Sequence, residues 1–468
     1  MTRFRTLFLL GTALLSGCSL APDYERPAAP VPAAFPQGSA YPPVPAGEST
    51  ADTLGWQAFF QDPALRRLIG IALENNRDLR VAALNVEAAE AQYRAQRGEL
   101  FPSVGATAAA EYAGTPVTAN GRTASVTTRG FSLGAGFTAW EIDLFGRIRS
   151  LSEAARQAAL SQDETRRATQ ISLVAQVADA YLTILANREL LTLTRRTLES
   201  QEASLRLTQA TASGGTATAL TLRQAQTAVE TARANLALYT RQVAQAENAL
   251  ALLLGQPVPA DLPADATLSS ALMLAEVPAG LASSVLLRRP DVVAAERTLM
   301  SANANIGAAR AAFFPSITLT ASGGTAGSAL SRLFAGGSGS WLFSPQISVP
   351  IFTGGINQAN LDYARLQTRI EVSNYEKAIQ TAFREVADAL AARGTFDDQV
   401  EAQRRLADAY ADSYRLSELR FRSGVDSYLA VLDSQRSLYG AQQALITLRQ
   451  ERLSSLVTLY KVLGGGWR

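Results

Sequence analysis

Two segments of this chain align at a constant offset: NRDLRVAALNVEAAEAQYRAQRGELFPSV (76–104) and RPDVVAAERTLMSANANIGAARAAFFPSI (289–317). Asp78 falls on Asp291, Arg97 on Arg310 and Pro102 on Pro315. Further along, SGGTATALTLRQAQ (213–226) lies over RSGVDSYLAVLDSQ (422–435), with Leu220 on Leu429 and Gln226 on Gln435. LLLGQ (252–256) then lies over KVLGG (461–465) at the same later offset. Order is kept throughout, so the chain reads as a tandem duplication of roughly 190 residues per unit. Similarity between alanine-rich helices does not account for the matched Phe-Pro-Ser corners. The length alone, 468 residues, would allow two or three unrelated domains; a duplication instead demands two copies of one architecture.

Proline shows where that architecture is helical. None occurs between Pro116 and Pro257, and none after Pro350. Each gap holds a long helix, a glycine break and a second helix: about 150–212 and 217–254 around Gly214-Gly215, then about 357–422 and 426–463 around Gly424. A sixty-residue helix is about 90 Å long at 1.5 Å per residue, more than a globular core needs. Leu222, Val229, Leu236, Val243 and Leu250 recur at sevens. Ala225, Ala232, Tyr239, Ala246 and Leu253 follow three residues later, which completes an a/d seam with small residues that allow close helix approach. Val177, Ile184, Leu191, Leu198 and Leu205 form the facing row. The second unit keeps Val431, Leu438, Leu445 and Leu459, with Arg452 interrupting the row. Each unit is therefore an antiparallel helical hairpin with left-handed supercoiling.

Ahead of each hairpin the apolar period drops to two. Val104, Ala106, Ala108, Ala110 and Tyr112 alternate with small or polar residues, as do Phe131, Leu133, Ala135, Phe137 and Ala139. Ile317, Leu319 and Ala321 do the same, followed by Trp341, Phe343, Ile347, Val349 and Ile351. Segments of about ten residues with aromatics near their ends are the strand pattern of a membrane barrel. The spacers 113–128 and 323–340, rich in Gly, Ser and Thr, are expected to be exposed loops. Four such strands cannot close alone, since the smallest bacterial barrels have about eight. Backbone groups left open in lipid are not tolerated, so the chain is expected to oligomerise, and three copies would supply twelve strands. The fold class expected is a membrane β-barrel joined to an α-helical barrel, closed as a trimer.

The N-terminus sets the location. Arg3 and Arg5, the apolar run LFLLGTALL, and then Ser16 and Gly17 have the layout of a secretory signal peptide over 1–17. The run is too short to span a bilayer about 30 Å thick. Cys18 is the only cysteine in the chain, so a disulfide within the chain is impossible. Leu15-Ser16-Gly17-Cys18 resembles the bacterial lipobox, which makes Cys18 the expected lipid attachment site, and Ser19 after it implies sorting to the outer membrane. Prolines at 22, 27, 30, 32, 36, 42, 43 and 45 make 18–62 an extended arm lying over the folded body. The remaining boundaries expected are repeat 1 over 63–257 (strands about 102–112 and 129–141, hairpin about 150–254) and a linker over 258–278. Repeat 2 then covers 279–463 (strands about 315–323 and 341–351, hairpin about 357–463), before a tail over 464–468.

Composition removes other function classes. Histidine is absent, so the commonest general base and metal ligand are both missing. With no Gly-x-Ser-x-Gly either, a lipoprotein hydrolase is disfavoured, and no catalytic residue, cofactor or metal site is expected. The 43 basic and 41 acidic residues leave no basic footprint for nucleic acid. A coiled-coil scaffold or periplasmic adaptor would share the hairpins but not need the alternating strands.

The four strands, four helices and duplication resemble the outer-membrane factors of tripartite RND-type efflux systems, the lipoprotein branch in particular. The resemblance covers essentially the whole mature chain. It is carried by Pro22-Asp23-Tyr24, the corner Asp143-Leu144-Phe145-Gly146 and its echo Pro350-Ile351-Phe352-Thr353-Gly354-Gly355. The segment Arg422-Ser423-Gly424-Val425-Asp426 and the ending Leu463-Gly464-Gly465-Gly466-Trp467 complete it. The resemblance implies a homotrimeric, passive outer-membrane channel that exports drugs, detergents or metal ions, with a periplasmic adaptor and an inner-membrane pump as partners. An exit duct for type I protein secretion shares this architecture and stays open as the alternative. The resemblance also implies that the glycine turns form the periplasmic end, where the resting channel closes. Phe421, Arg422, Asp426 and Asp433 are the expected gate residues, with Arg422 and Asp433 linking neighbouring helical pairs. Gly214, Gly215, Thr216, Gly424 and Val425 are the expected tip contacts for the adaptor. Some relatives of this kind also carry an acid where this chain has Thr221. Asp143 is expected to cap the helix that begins near 150.

Overall fold

A computed structural model describes residues 20–41, 54–261, 263, 266–269, 272–273 and 283–465. Cys18, the signal segment and Trp467 lie outside the described residues. The chain divides into two compact units. One comprises Met1–Ala28, Asn85–Gln162 and Ala294–Tyr375; the other comprises Ala29–Leu84, Asp163–Val293 and Glu376–Arg468.

The duplication is visible element by element. Helix α1 (Pro63–Asn75) opens on Asp62, whose side chain accepts from the Ala64 N–H at 2.8 Å, with Pro63 at the first helical position. Helix α2 (Arg77–Gly98) leads to strands β1 (Gly105–Ala119) and β2 (Arg122–Ile142). The first hairpin is α3 (Arg147–Ser213) and α4 (Ala219–Leu254). The second half begins with α5 (Pro290–Ala311), continues with β3 (Ser316–Gly327) and β4 (Gly339–Ser348), and ends in α6 (Ile356–Arg422) and α7 (Tyr428–Val462). Helices α2 and α5 are both 22 residues long, and α3 and α6 are both 67. Equal lengths follow from the repeated sequence.

Of the expected a/d rows, Ala225, Val229, Ala232, Ala246 and Leu250 on α4 and Val177, Ile184 and Leu191 on α3 are buried. Leu222, Leu236, Tyr239, Val243, Leu253, Leu198 and Leu205 are half-buried. One 18-residue window of α3 reaches a mean hydropathy of 1.2, but 56% of it is buried within the chain. That apolarity serves hairpin packing, not passage through lipid. At the end of α7, Tyr460 stacks on Phe59 with centroids 4.1 Å apart, and Phe59 and Phe60 are fully buried.

The four strands form one antiparallel sheet in the order β1-β2-β3-β4. The expected loop 113–128 is mostly strand: β1 and β2 stay paired from Gly105↔Gly136 out to Ala119↔Arg122. Asn120 (φ 51°) and Gly121 (φ 71°) close this ribbon. An Asn-Gly pair with positive φ at both positions makes the tight turn whose twist matches a hairpin. That dipeptide was the available signal, and threonine richness hid it. The second spacer does hold a loop, with a short helical turn at Leu330–Arg332.

Candidate functional site

Two features of this chain can do work: the sheet in the first unit and the hairpin tips in the second.

Pairing places the sheet's side chains on two distinct faces. Ala110↔Phe131, Phe137↔Ala321 and Ala321↔Phe343 run across one face, as do Trp140↔Leu319 and Ile317↔Ile347. The other face carries Thr107↔Gly134, Ser322 opposite Gly136, Thr320↔Ser344 and Thr318↔Gln346. Strands alternate their side chains strictly, so one side suits lipid and the other water. The sequence reading put Ala139 on the apolar row. A bulge between Phe137 and Trp140, with Ala139 at φ 53°, moves Trp140 there instead. Trp341, Phe343, Ile347 and Tyr112 are 60–83% exposed within one chain. Large apolar side chains standing free on a sheet mark a surface that meets lipid or another subunit.

At the junction between sheet and helix, the Asp143 carboxylate accepts from the Arg149 N–H at 2.9 Å and from the Arg149 guanidinium at 3.1 Å. It is 6% exposed. This is the capping role expected of it, at the third position of α3. Arg147 pairs with Glu141 at 2.7 Å beside it.

The two tips share one backbone design. Gly215 (φ 79°) follows α3 and Gly424 (φ 71°) follows α6. Next, the Thr216 N–H donates to the Thr211 carbonyl at 3.0 Å and the Val425 N–H to the Arg420 carbonyl at 2.9 Å. A left-handed residue followed by a bond reaching five residues back is the Schellman stop. Gly214 keeps an ordinary φ and donates to the Ala210 carbonyl at 3.1 Å. The Thr216 hydroxyl also donates to the Thr211 carbonyl at 3.0 Å. Thr218 caps α4 by accepting from the Thr221 N–H at 3.1 Å.

Side chains distinguish the tips. Under the second, the Phe421 ring lies 5.2 Å from that of Tyr428, over a cluster of Ala225, Tyr428 and Val431. Asp426 takes a bidentate bond from Arg420 at 2.5 and 2.9 Å, which holds its carboxyl below the usual aspartate range. Arg422 reaches Glu418 at 2.6 Å, and Asp433 reaches Arg436 at 2.8 Å. Within one chain, then, Arg422 and Asp433 each have a near neighbour on their own helix. Glu418, Arg420 and Arg436 were missed from sequence, although Glu418→Arg422 and Asp433→Arg436 stand at helical i,i+4 and i,i+3 spacings. The Asp433–Arg436 pair is 65% and 83% exposed, and such pairs contribute roughly 0–1 kcal/mol. Asp433 and Arg436 also line a hollow of about 350 Å³ between α4 and α7, with Gln224, Thr227 and Leu432.

A four-stranded sheet with one apolar face, each of its strand pairs leading into a long helical hairpin, defines a membrane channel subunit. The family profile for outer membrane efflux proteins matches residues 68–256 and 281–465, one match per repeat. The chain belongs to that family, and it is an outer-membrane efflux channel. It is 52% identical over 467 residues to the toluene efflux pump outer membrane protein TtgC of Pseudomonas putida, covering 100% of this chain and 96% of the relative. It is 43% identical over 455 residues to the cation efflux system protein CusC of Escherichia coli O157:H7, covering 97% of each. Its structure superposes on the open state of the Neisseria gonorrhoeae MtrE outer membrane channel with a TM-score of 0.87 at 40% identity, covering 96% of this chain and 99% of that one.

Proposed function

We propose that three copies join their sheets into one twelve-stranded barrel through the outer membrane, and that their hairpins continue the conduit into the periplasm. The observation that carries this reading is the sheet itself. It has an apolar face, a Ser/Thr/Gly face and two unpaired edges. Lipid tolerates such edges only when the sheet closes, and the Ser/Thr/Gly face then surrounds water. The duct is passive and has no enzymatic role; an inner-membrane RND-type pump supplies energy through a periplasmic adaptor. Cargo is small toxic compounds, a reading supported by relatives named for toluene and for cation efflux. Cys18 carries the lipid anchor, and the extended arm over 18–62 precedes repeats over 63–257 and 279–463.

At the tips, Phe421, Arg422, Asp426 and Asp433 hold the resting channel closed, and Gly214, Gly215, Thr216, Gly424 and Val425 meet the adaptor. The decisive experiment is ion conductance of the purified protein in planar bilayers, together with the mass of the detergent-solubilised particle. A single-chain particle, or no current under any opening condition, would sink the proposal. The gate is tested separately with Arg422→Ala and Asp433→Ala. Their in-chain pairs contribute at most about 1 kcal/mol. A leak increase beyond about fivefold therefore reports contacts between copies, and unchanged leakage removes both residues from the gate. Palmitate labelling that survives Cys18→Ser would refute the anchor.

A further inference from the structure

The two free edges of the sheet are β1 and β4, and β1 begins and β4 ends on the side of the sheet nearest the helices. An antiparallel pairing of β4 from one copy with β1 from the next is topologically open. Its register is limited by the two faces, because a slip of one residue turns every side chain over. Apolar must meet apolar, so only slips of two are allowed.

The geometry points to a flush register between copies, with Ser348 opposite Gly105, resting on the trimeric reading above. Three observations select it. First, it keeps all of β4, Gly339–Ser348, against residues inside β1, Gly105–Ala119, which no slip toward the helices does. A slip toward the helices puts Ile347 and Ser348 opposite Val104 and Ser103, outside the strand. Second, it sets Trp341, 83% exposed, opposite Tyr112, 63% exposed, and Phe343 opposite Ala110. An aromatic pair and a large-against-small pair then close the lipid face across the seam. Third, it gives a reasonable strand tilt. Pairing carries Gly105 through Gly136 and Ser322 to Leu342, and the flush register brings Leu342 to Glu111. That climb of about six residues over four strands, at about 3.3 Å rise and 4.8 Å spacing, is a tilt of about 46°. The register slipped away from the helices needs about 54°, beyond the roughly 35–45° of membrane barrels.

Cysteine pairs on the water face test this, because Cys18 is the only native cysteine. Ala109 and Ser344 face each other in the flush register. The doubles Ala109→Cys/Ser344→Cys, Ala109→Cys/Gln346→Cys and Ala109→Cys/Leu342→Cys report the flush and the two slipped registers. Each is first checked for a heat-sensitive trimer. Copper phenanthroline then converts the Ser344 pair to a covalent trimer on denaturing gels at least about tenfold faster than the others, since diagonal partners lie beyond disulfide reach. Ala106→Cys/Ile347→Cys repeats the test on the lipid face if the first pair fails to assemble. Fastest linkage at Gln346 or Leu342 in an intact trimer overturns the register and leaves the trimer standing. A parent protein that runs as a single chain by light scattering overturns the trimer itself.

Discussion

Asn76 and Arg289 occupy the same place in the two repeats and do the same job with different chemistry. Asn76 donates from Nδ2 to the Leu253 carbonyl at 2.9 Å; Arg289 donates from Nη1 to the Val462 carbonyl at 2.9 Å. Each ties the end of a hairpin's second helix, whose last carbonyls have no partner inside the helix. Arg289 is 8% exposed and also pairs with Asp291 at 2.6 Å and Glu385 at 2.8 Å. In the first repeat the position matching Glu385 is Gln176. A neutral amide there has a neutral counterpart, whereas the buried cation has a carboxylate. Repeats preserve a backbone need, and the side chains that meet it change together.

The largest expected effect separates these two ties. Arg289→Ala leaves a carbonyl and two carboxylates without their partner. Because Asp291 and Glu385 are 46% and 35% exposed, the loss stays at the lower end of the buried-pair cost, about 3 kcal/mol. Asn76→Ala loses neutral hydrogen bonds, about 1–3 kcal/mol. Denaturant midpoints of the detergent-solubilised protein compare the two; equal losses would mean that Arg289 is only a neutral tie. Next come the tips, where the repeats are alike. Gly215→Val and Gly424→Val each force a branched residue into left-handed backbone, at about 1–3 kcal/mol. A Cβ at either glycine meets nothing within 4 Å, so the cost is backbone alone and equal at both. Hydrogen exchange of the Thr216 and Val425 amides reads it, and faster exchange at only one tip breaks the equivalence.

The smallest effect concerns Asp179 and Asp388, again matched positions. Asp179 is half-buried with one carboxylate oxygen lacking a partner, and burial pushes its carboxyl above the usual aspartate range. Asp388 is exposed. An acid raised in the folded state binds its proton more tightly there than when unfolded. The fold therefore gains stability as pH falls through the folded value, and loses it again as pH rises. Asp179→Asn raises the thermal midpoint at pH 7 and has no such advantage below the ordinary aspartate value. Asp388→Asn changes stability by less than about 0.5 kcal/mol at either pH. A midpoint difference between Asp179→Asn and the parent that does not depend on pH would show that the Asp179 carboxyl titrates as in the unfolded chain.

Much of this was legible because it rests on short-range rules. Heptad spacing, proline gaps and two glycines set the hairpins, and period-two runs set the strands. The long ribbon of β1 and β2 was not, since threonine-rich sequence suits both loop and strand, and the pairing partner decides. The bulge that exchanges Ala139 for Trp140 is likewise a property of two strands together. At the tip, Arg422 and Asp433 were named from sequence, but Arg420's hold on Asp426 was not, because it crosses a helix end that folding must first create.

By itself the sequence determined the repeat, the helices and the alternation of faces, all governed by contacts between residues a few positions apart. Only the tertiary structure decided which carbonyls Asn76 and Arg289 would reach and which acid of a matched pair would be buried. It also left β1 and β4 as the open edges. Those outcomes join residues far apart in the chain, where local periodicity carries no information and only packing chooses.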